Sequence, residues 1–313
     1  MSKISVLIPT YNYAQFLPEA IESVLAQDFR DFELLIVDDC SPDNTAEIVQ
    51  PYGAKDPRIR FSINPTNLGM VNNWNHCLEL ARGEYIKFLF GDDKLCDRGA
   101  LGKLLALLET HPTATLAASA RLILNERSEA MEVCRTFANG YHEGRDVIMA
   151  CLEEYGNLVG EPSAVLFRKR DAGVGFNPQY RQIVDADLWF RLLEKGGLAY
   201  TGETLCGFRR HDRQQTVVNF ANRVVEKEGA LFFTGYAEKY LSRKVAFTVL
   251  YHLRRSRRKN GKDADPELLE VEEDLTRRLG EGWYFVHYIL YKIRRPFENL
   301  SRSARKRWRR RHS

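Results

Sequence analysis

Between Lys3 and Phe90 the chain alternates four short apolar, β-rich runs with three amphipathic stretches, and this alternation limits the fold more than any other feature. The runs are Lys3 to Ile8, Phe32 to Val37, Ile59 to Ile63 and Tyr85 to Phe90. Phe16, Ala20, Ile21, Val24 and Leu25 recur at helical spacing, which predicts a helix over Ala14 to Gln27. Ser41-Pro42 predicts a second helix start, with Ser41 as N-cap and Pro42 at the first helical position. Asn67-Leu-Gly69 predicts a turn into a helix from Met70 to Ala81. Continuous apolar strands alternating with helices define an α/β fold, a mostly parallel sheet flanked by helices on both faces.

Ligands of such sheets sit at the carboxyl ends of the strands. Here those ends carry Pro9-Thr-Tyr-Asn12, Asp38-Asp39 and Gly91-Asp92-Asp93. Adjacent carboxylates repel, and each raises the pKa of the other. Asp92 and Asp93 therefore call for a cation, either a divalent ion carrying a phosphorylated ligand or neighbouring Lys and Arg. A solvated Gly-Asp-Asp turn is the plainer alternative, but three polar clusters expected on one sheet edge favour a site. No G-x-G-x-x-G follows the first strand and no Walker lysine loop exists, so a phosphate must be held by metal and side chains.

Further along, Leu101 to Leu108 reads as a helix and Thr115 to Ala120 as a strand. Asn125 to Asn139 is polar, a loop or hairpin; Val147 to Leu152 is helical and Ala164 to Arg168 a strand. Asp185-Ala-Asp187 precedes an apolar helix from Leu188; Asp187 reads as its N-cap and Asp185 as one step outside. Tyr200 to Phe208 is extended and ends in Arg209-Arg210-His211-Asp212, where His211 reads locally as equally a solvated residue or a ligand. From Asn219 the pattern is helical, with a break at Asn260-Gly261 and an aromatic stripe from Trp283 to Tyr291. That stripe is either core or an interfacial helix. The expected domains are residues 1–217 and a helical C-terminal region, 218–313.

Composition narrows the class. A hydrophobic fraction of 44% and a charged fraction of 28% are those of a soluble globular protein, and no stretch approaches the roughly 20 apolar residues of a spanning helix. The N-terminus enters a strand pattern with no signal peptide ahead of it. Six cysteines without a C-x-x-C pair point to a reducing compartment. The expected location is the cytoplasm, peripheral to the inner face of the cell membrane. Net charge is +4, yet seven Lys and Arg lie in the final dozen residues, so the basic character belongs to a tail. That argues against a nucleic-acid partner and, with the aromatic stripe, for an anionic membrane surface.

Ser5-Val-Leu-Ile-Pro-Thr-Tyr-Asn12, the stretch Gln27 to Asp39, Asn67-Leu-Gly69, Gly91-Asp-Asp93 and Asp185-Ala-Asp-Leu-Trp189 occur in this order over residues 3–215. Together they resemble family 2 glycosyltransferases of the bacterial polysaccharide type. The resemblance implies a GT-A fold with a C-terminal helical extension, inverting chemistry, a nucleotide-sugar donor, a saccharide or lipid-linked acceptor, and Mg2+ or Mn2+. It also implies roles. Pro9, Thr10, Tyr11, Asn12, Asp39, Asn67 and Asp92 fall at nucleotide-binding positions. Asp93 and His211 fall at metal positions and Asp185 at that of the catalytic base. The family's metal motif often begins with an acid where this chain has Phe90, which leaves fewer carboxylates for an ion. A nucleotidyltransferase would need a Gly-rich basic loop after the first strand, which Pro9 to Asn12 does not provide. A non-catalytic nucleotide-binding scaffold would be indicated by loss of Asp185 or Asp93, and both are present.

Overall fold

The computed structural model describes residues 2–240, 242–260, 265–289 and 291. Strands β1 (Ile4–Thr10), β2 (Phe32–Asp38), β3 (Ile59–Ile63) and β4 (Tyr85–Phe88) are parallel in the order β3-β2-β1-β4. Ile4 stands opposite Phe32 on one side and Tyr85 on the other. Helices α1 (Leu17–Leu25), α2 (Thr45–Lys55) and α3 (Met70–Leu80) connect them. Every residue of β1 and β2 is buried, which is why these strands are apolar without alternation.

Two helix starts differ from expectation. α1 begins at Leu17 because residues 13–16 form a turn, Phe16 N donating to Tyr13 O, and Pro18 suits the first helical turn. Ser41 is not the N-cap of α2. Its hydroxyl is held by Asp38, while Asp43 accepts from Thr45 N at 3.1 Å and starts the helix there.

Beyond β4 come β5 (Lys94–Leu95), α4 (Ala100–Thr110), β6 (Ala114–Leu124), β7 (Ala130–Cys134), β8 (Gly140–His142) and α5 (Gly144–Glu154). Then follow β9 (Val165–Arg168), α6 (Val184–Leu193), β10 (Gly197–Arg209) and α7 (Gln215–Ala221). The sheet continues β4-β9-β6-β10-β5, with β9 antiparallel to both its neighbours and β6 parallel to β10. It is thus a mixed α/β sheet whose parallel block is its first four strands. The polar stretch after β6 is a hairpin, β7 returning along β6. Asn125 Oδ1 closes its turn by accepting from Arg127 N and Glu129 N.

One pairing places the functional edge. β5 runs antiparallel to the end of β10, Leu95 facing Cys206, so the segment leaving β4 is laid against Arg209.

The chain forms two compact units, Met1–Cys151 with Gly156–Val225, and Leu152–Tyr155 with the chain from Glu226. The second contains α8 (Val224–Lys239) from Glu226 on, α9 (Arg243–Asn260), α10 (Pro266–Leu279) and a last helix, α11, over 281–289. Asp265 caps α10 by accepting from Glu267 N at 3.0 Å. Tyr155 stacks on His252 at 4.2 Å. No described helix is long and apolar enough to cross a membrane. Gly261 and the basic tail of 302–311 lie outside the described residues.

Candidate active site

Gly91 lets the chain leave β4 in close contact with β1, since a Cβ there would stand 3.2 Å from Thr10 Oγ1. The turn delivers Asp92 and Asp93, both buried, and sends their carboxylates different ways. Asp92 Oδ2 lies 3.0 Å from His211 Nε2. Asp93 Oδ1 accepts from Arg209 N at 2.9 Å, while its Oδ2 is enclosed without a hydrogen-bond partner. Burial first, and then the charge of Asp92, push the Asp93 carboxyl well above the usual carboxylate range; the Ser163 hydroxyl and Arg209 amide oppose this.

Arg209, which no sequence motif singled out, holds this turn together. Its Nε donates to Asp92 O at 2.7 Å, and its guanidinium reaches Ser128 Oγ at 2.6 Å and pairs with Glu19 of α1. It also lies 4.9 Å from the Phe16 ring centroid. Although burial works against it, Lys94, Ser128 and Arg209 together hold the Glu19 carboxyl down at about 2. His211 is not a solvated loop residue. It is 7% exposed, its ring 4.9 Å from Phe16 and 5.7 Å from Tyr13. Tyr13, also missed in the sequence, has its hydroxyl pushed far up by burial and by the charges of Asp92 and Asp93.

At the other strand ends the side chains divide into inward and outward groups. Asp38 accepts from Ser41 N and Oγ, so it is a structural neighbour. Asp39 Oδ1 accepts from Asn64 Nδ2 and Leu68 N, both at 2.8 Å, and Oδ2 from Gly69 N at 2.9 Å. The φ of +82° at Gly69 turns its amide back onto Asp39. Asn67 works on the same loop, donating to Asp39 O and accepting from Gly69 N. Pro9 and Thr10 are buried in β1, and Thr10 Oγ1 has no hydrogen-bond partner. Tyr11 stands out, 48% exposed, beside Asn12, whose φ of +59° suits the left-handed tolerance of Asn.

Asp185 lies inside the first turn of α6, not outside it, and Asp187 is not the cap but the partner of Arg191 at 2.8 Å. Ile183 occupies the N-cap position without a side-chain bond, so acids in the first turn complement the helix dipole instead. Asp185 Oδ2 accepts from Asn157 Nδ2 at 2.9 Å and Oδ1 from Ala186 N at 2.8 Å. Burial, followed by the charge of Glu161, pushes its carboxyl up to about 7. Glu161 is paired with Arg121 at 2.6 Å, and the Cys151 thiol also lies within electrostatic reach of Asp185.

Residues 157–163 join the two acidic centres. Asn157 binds Asp185 and Gly160 O, and Trp189 Nε1 donates to Gly160 O at 2.9 Å. Six residues on from Asn157, Ser163 Oγ accepts from Phe90 N at 3.0 Å. Buried Lys87 donates to Ser163 O and to Phe88 O; burial lowers its pKa to about 8. The charge of Glu161 raises both Asp93 and Asp185. Asn157→Ala should therefore lower kcat by about tenfold, since hydrogen bonds to charged groups contribute roughly 1.5–3 kcal/mol. It should also move the kcat/KM profile to higher pH and leave nucleotide affinity unchanged. A pH–rate series checks this, and an unshifted profile would make Asn157 a purely structural residue.

Phe90, at the acidic position of the resembling family, stacks on Trp74 at 4.7 Å. Trp74 also meets Phe176 at 5.1 Å, and Asn75 clamps both backbone groups of Phe176. The position thus serves aromatic packing here.

Among the described residues no three His, Cys, Asp or Glu converge as a metal cage. An ion carried by a diphosphate needs less, because Mg2+-type ions typically take one or two carboxylates plus substrate phosphates. The 3.0 Å between Asp92 Oδ2 and His211 Nε2 suits a hydrogen bond. It equally suits two adjacent ligands of an octahedral ion, which at bonds of about 2.1 Å are about 3 Å apart.

Asp92 and Asp93 at the end of β4 and Asp185 in α6 are thus two acidic centres joined by one segment. The family model of Glycosyl transferase family 2 matches residues 5–170, more than half of the chain. The chain belongs to this family. It is 31% identical over 206 residues to the putative glycosyltransferase EpsE of Bacillus subtilis, spanning 63% of this chain and 69% of that protein. It is 41% identical over 106 residues to the GalNAc(5)-diNAcBac-PP-undecaprenol beta-1,3-glucosyltransferase of Campylobacter jejuni, 34% of each chain. Its structure resembles that of Staphylococcus aureus TarS 1-349 in complex with UDP-GlcNAc, with a TM-score of 0.64 at 19% identity, covering 87% and 79% of the two chains. That likeness is one of fold, the GT-A arrangement.

Proposed function

We propose that this glycosyltransferase moves a sugar from a nucleotide-sugar donor to a saccharide or lipid-linked saccharide acceptor, with inversion, in cell-surface polysaccharide or glycan synthesis. The observation that carries this reading is the segment 157–163, which ties Asp185 at one end to the Asp92–Asp93 turn at the other. The relative named for transfer to an undecaprenol-linked saccharide points to the same acceptor class.

Exposed Tyr11 offers a ring for the nucleobase, and the unpartnered Thr10 hydroxyl a contact at the end of β1. Asp39 and Asn67 shape the loop beneath the ribose rather than reach outward. Asp92 and His211 hold the diphosphate end, with Asp93 anchoring Arg209 behind them. A divalent ion bound at Asp92 and His211 would neutralise the charge developing on the departing diphosphate. Asp185 takes the proton of the acceptor hydroxyl as it attacks. A carboxyl whose pKa is about 7 is well matched to a general base near neutral pH. One base and no covalent nucleophile give a single displacement, hence inversion. Six free cysteines fit reaction in the cytoplasm.

Calorimetry with a panel of nucleoside diphosphates, with and without Mn2+, tests the donor assignment. One nucleotide should bind, more tightly with Mn2+, and Asp92→Asn should weaken that binding at least about tenfold, as loss of a metal or second-sphere ligand commonly does. No heat from any of them would remove the site.

A further inference from the structure

Helix α11 divides its aromatic stripe between two sides. Trp283, Tyr284, His287 and Tyr291 surround Phe247 of α9 at 5.4–6.2 Å between ring centroids. Tyr251 meets Tyr291 at 4.8 Å, Arg254 lies over Tyr284 at 4.1 Å, and Arg258 over Tyr288 at 5.9 Å. Phe247, Tyr251, Arg254 and Arg258 follow helical spacing, so this side of α11 is packed on α9. Away from it, Phe285, Val286 and Ile289 are 62%, 54% and 42% exposed. At i, i+1 and i+4 they share one arc of about 100°.

Beside this arc the one acid of α11, Glu281, is paired with Arg254 of α9, and Glu272 with Arg257. The α9 residues Arg255, Arg257 and Arg258 are exposed, and Arg258 touches α11 through Tyr288. In the sequence, the residues from Lys292 on contain ten Lys and Arg against one Glu. The first 291 residues hold 36 basic and 41 acidic side chains, a net charge of −5. The attraction to an anionic surface thus comes from the exposed arginines of α9 and, in the sequence, from the residues that follow α11.

We propose that α11 docks on an anionic lipid surface, with Phe285, Val286 and Ile289 at the boundary of headgroups and acyl chains and Arg255 and Arg258 of α9 among the headgroups. A second copy of the chain would bring the same cations against one another. A nucleic acid would find a single outward ring between two aliphatic side chains, not a stacking platform.

Flotation of the full chain with vesicles of equal parts phosphatidylglycerol and phosphatidylcholine tests this without nucleotide or acceptor, so its outcome is independent of the transfer reaction. The chain should float with these vesicles at low salt and stay down with pure phosphatidylcholine. F285S/V286S/I289S should partition at least about tenfold less, as three apolar side chains lose their buried area, with unchanged Tm and nucleotide binding. Flotation equal to wild type in the triple variant, or none in the wild type, overturns the proposal. A shift from dimer to monomer on triple substitution would make a second copy the occupant, and displacement from vesicles by a short RNA would make it nucleic acid.

Discussion

Asp185→Asn is expected to slow sugar transfer by about 10²–10⁴-fold, the usual contribution of a positioned general base, while nucleoside diphosphate affinity stays as in the wild type. The expectation follows from position: Asp185 is bound by Asn157 on the Gly160 side of the connecting segment, whereas the groups assigned to the diphosphate meet at Asp92 and His211. In the wild type, kcat/KM should rise with pH and level off above about 7, because only the ionised carboxylate accepts a proton. The same shift has a stability consequence of opposite sense. A carboxyl raised from 3.8 to about 7 in the folded chain favours its neutral form. Its stabilisation is complete below about pH 4 and is lost as pH rises through 7. Activity and this part of the stability therefore change in opposite directions over the same pH range. Initial rates and calorimetric binding on the two proteins check the first claim. Retained turnover with lost affinity would exchange the roles of Asp185 and Asp92.

Arg209→Met is expected to lower stability by about 3 kcal/mol and Tm by about 10 °C. The buried guanidinium loses its hydrogen bonds to Ser128, the Asp92 carbonyl and the partly exposed Glu19, and hydrogen bonds to charged groups contribute roughly 1.5–3 kcal/mol each. The 1% exposed guanidinium serves Glu19, Ser128 and the Asp92 carbonyl at once, and its backbone fixes Asp93. Losing it leaves the Asp92–Asp93 turn without the cation that holds it to β10. Metal-dependent nucleotide binding should weaken with it. Glu19→Gln, which keeps Arg209 and its bonds to the turn, should be far milder. Scanning calorimetry and nucleotide titration on both variants decide this, and an Arg209→Met protein with wild-type Tm and affinity would contradict it.

The parallel block was readable because its signals are local. Each apolar run ends in a turn-forming polar cluster, and β1, β2 and β4 occur where the pattern places them. The antiparallel insertion of β9 was not readable, since a buried strand is equally apolar in either direction. Arg209 was passed over for a related reason. Its bond to Asp93 spans 116 residues and exists only because β5 pairs with β10. Asn157 sits in a stretch of Gly, Leu and Val with no motif, and only the folded chain shows it beside Asp185. Local sequence leaves His211 equally a solvated residue or a ligand, because its burial against Phe16 and Asp92 depends on α1 and the turn after β4. The aromatic stripe was visible as a stripe, but which arc faces α9 is decided by Phe247 and Tyr251, more than thirty residues earlier.

The site assignment is tested most directly by anomalous diffraction from crystals grown with Mn2+ and the nucleoside diphosphate that calorimetry selects. A manganese peak is expected about 2.1 Å from an Asp92 carboxylate oxygen and from His211 Nε2, with phosphate oxygens on its open side and the base beside Tyr11. A nucleotide bound away from the ends of β1 and β4, or manganese held without Asp92 and His211, would contradict the assignment.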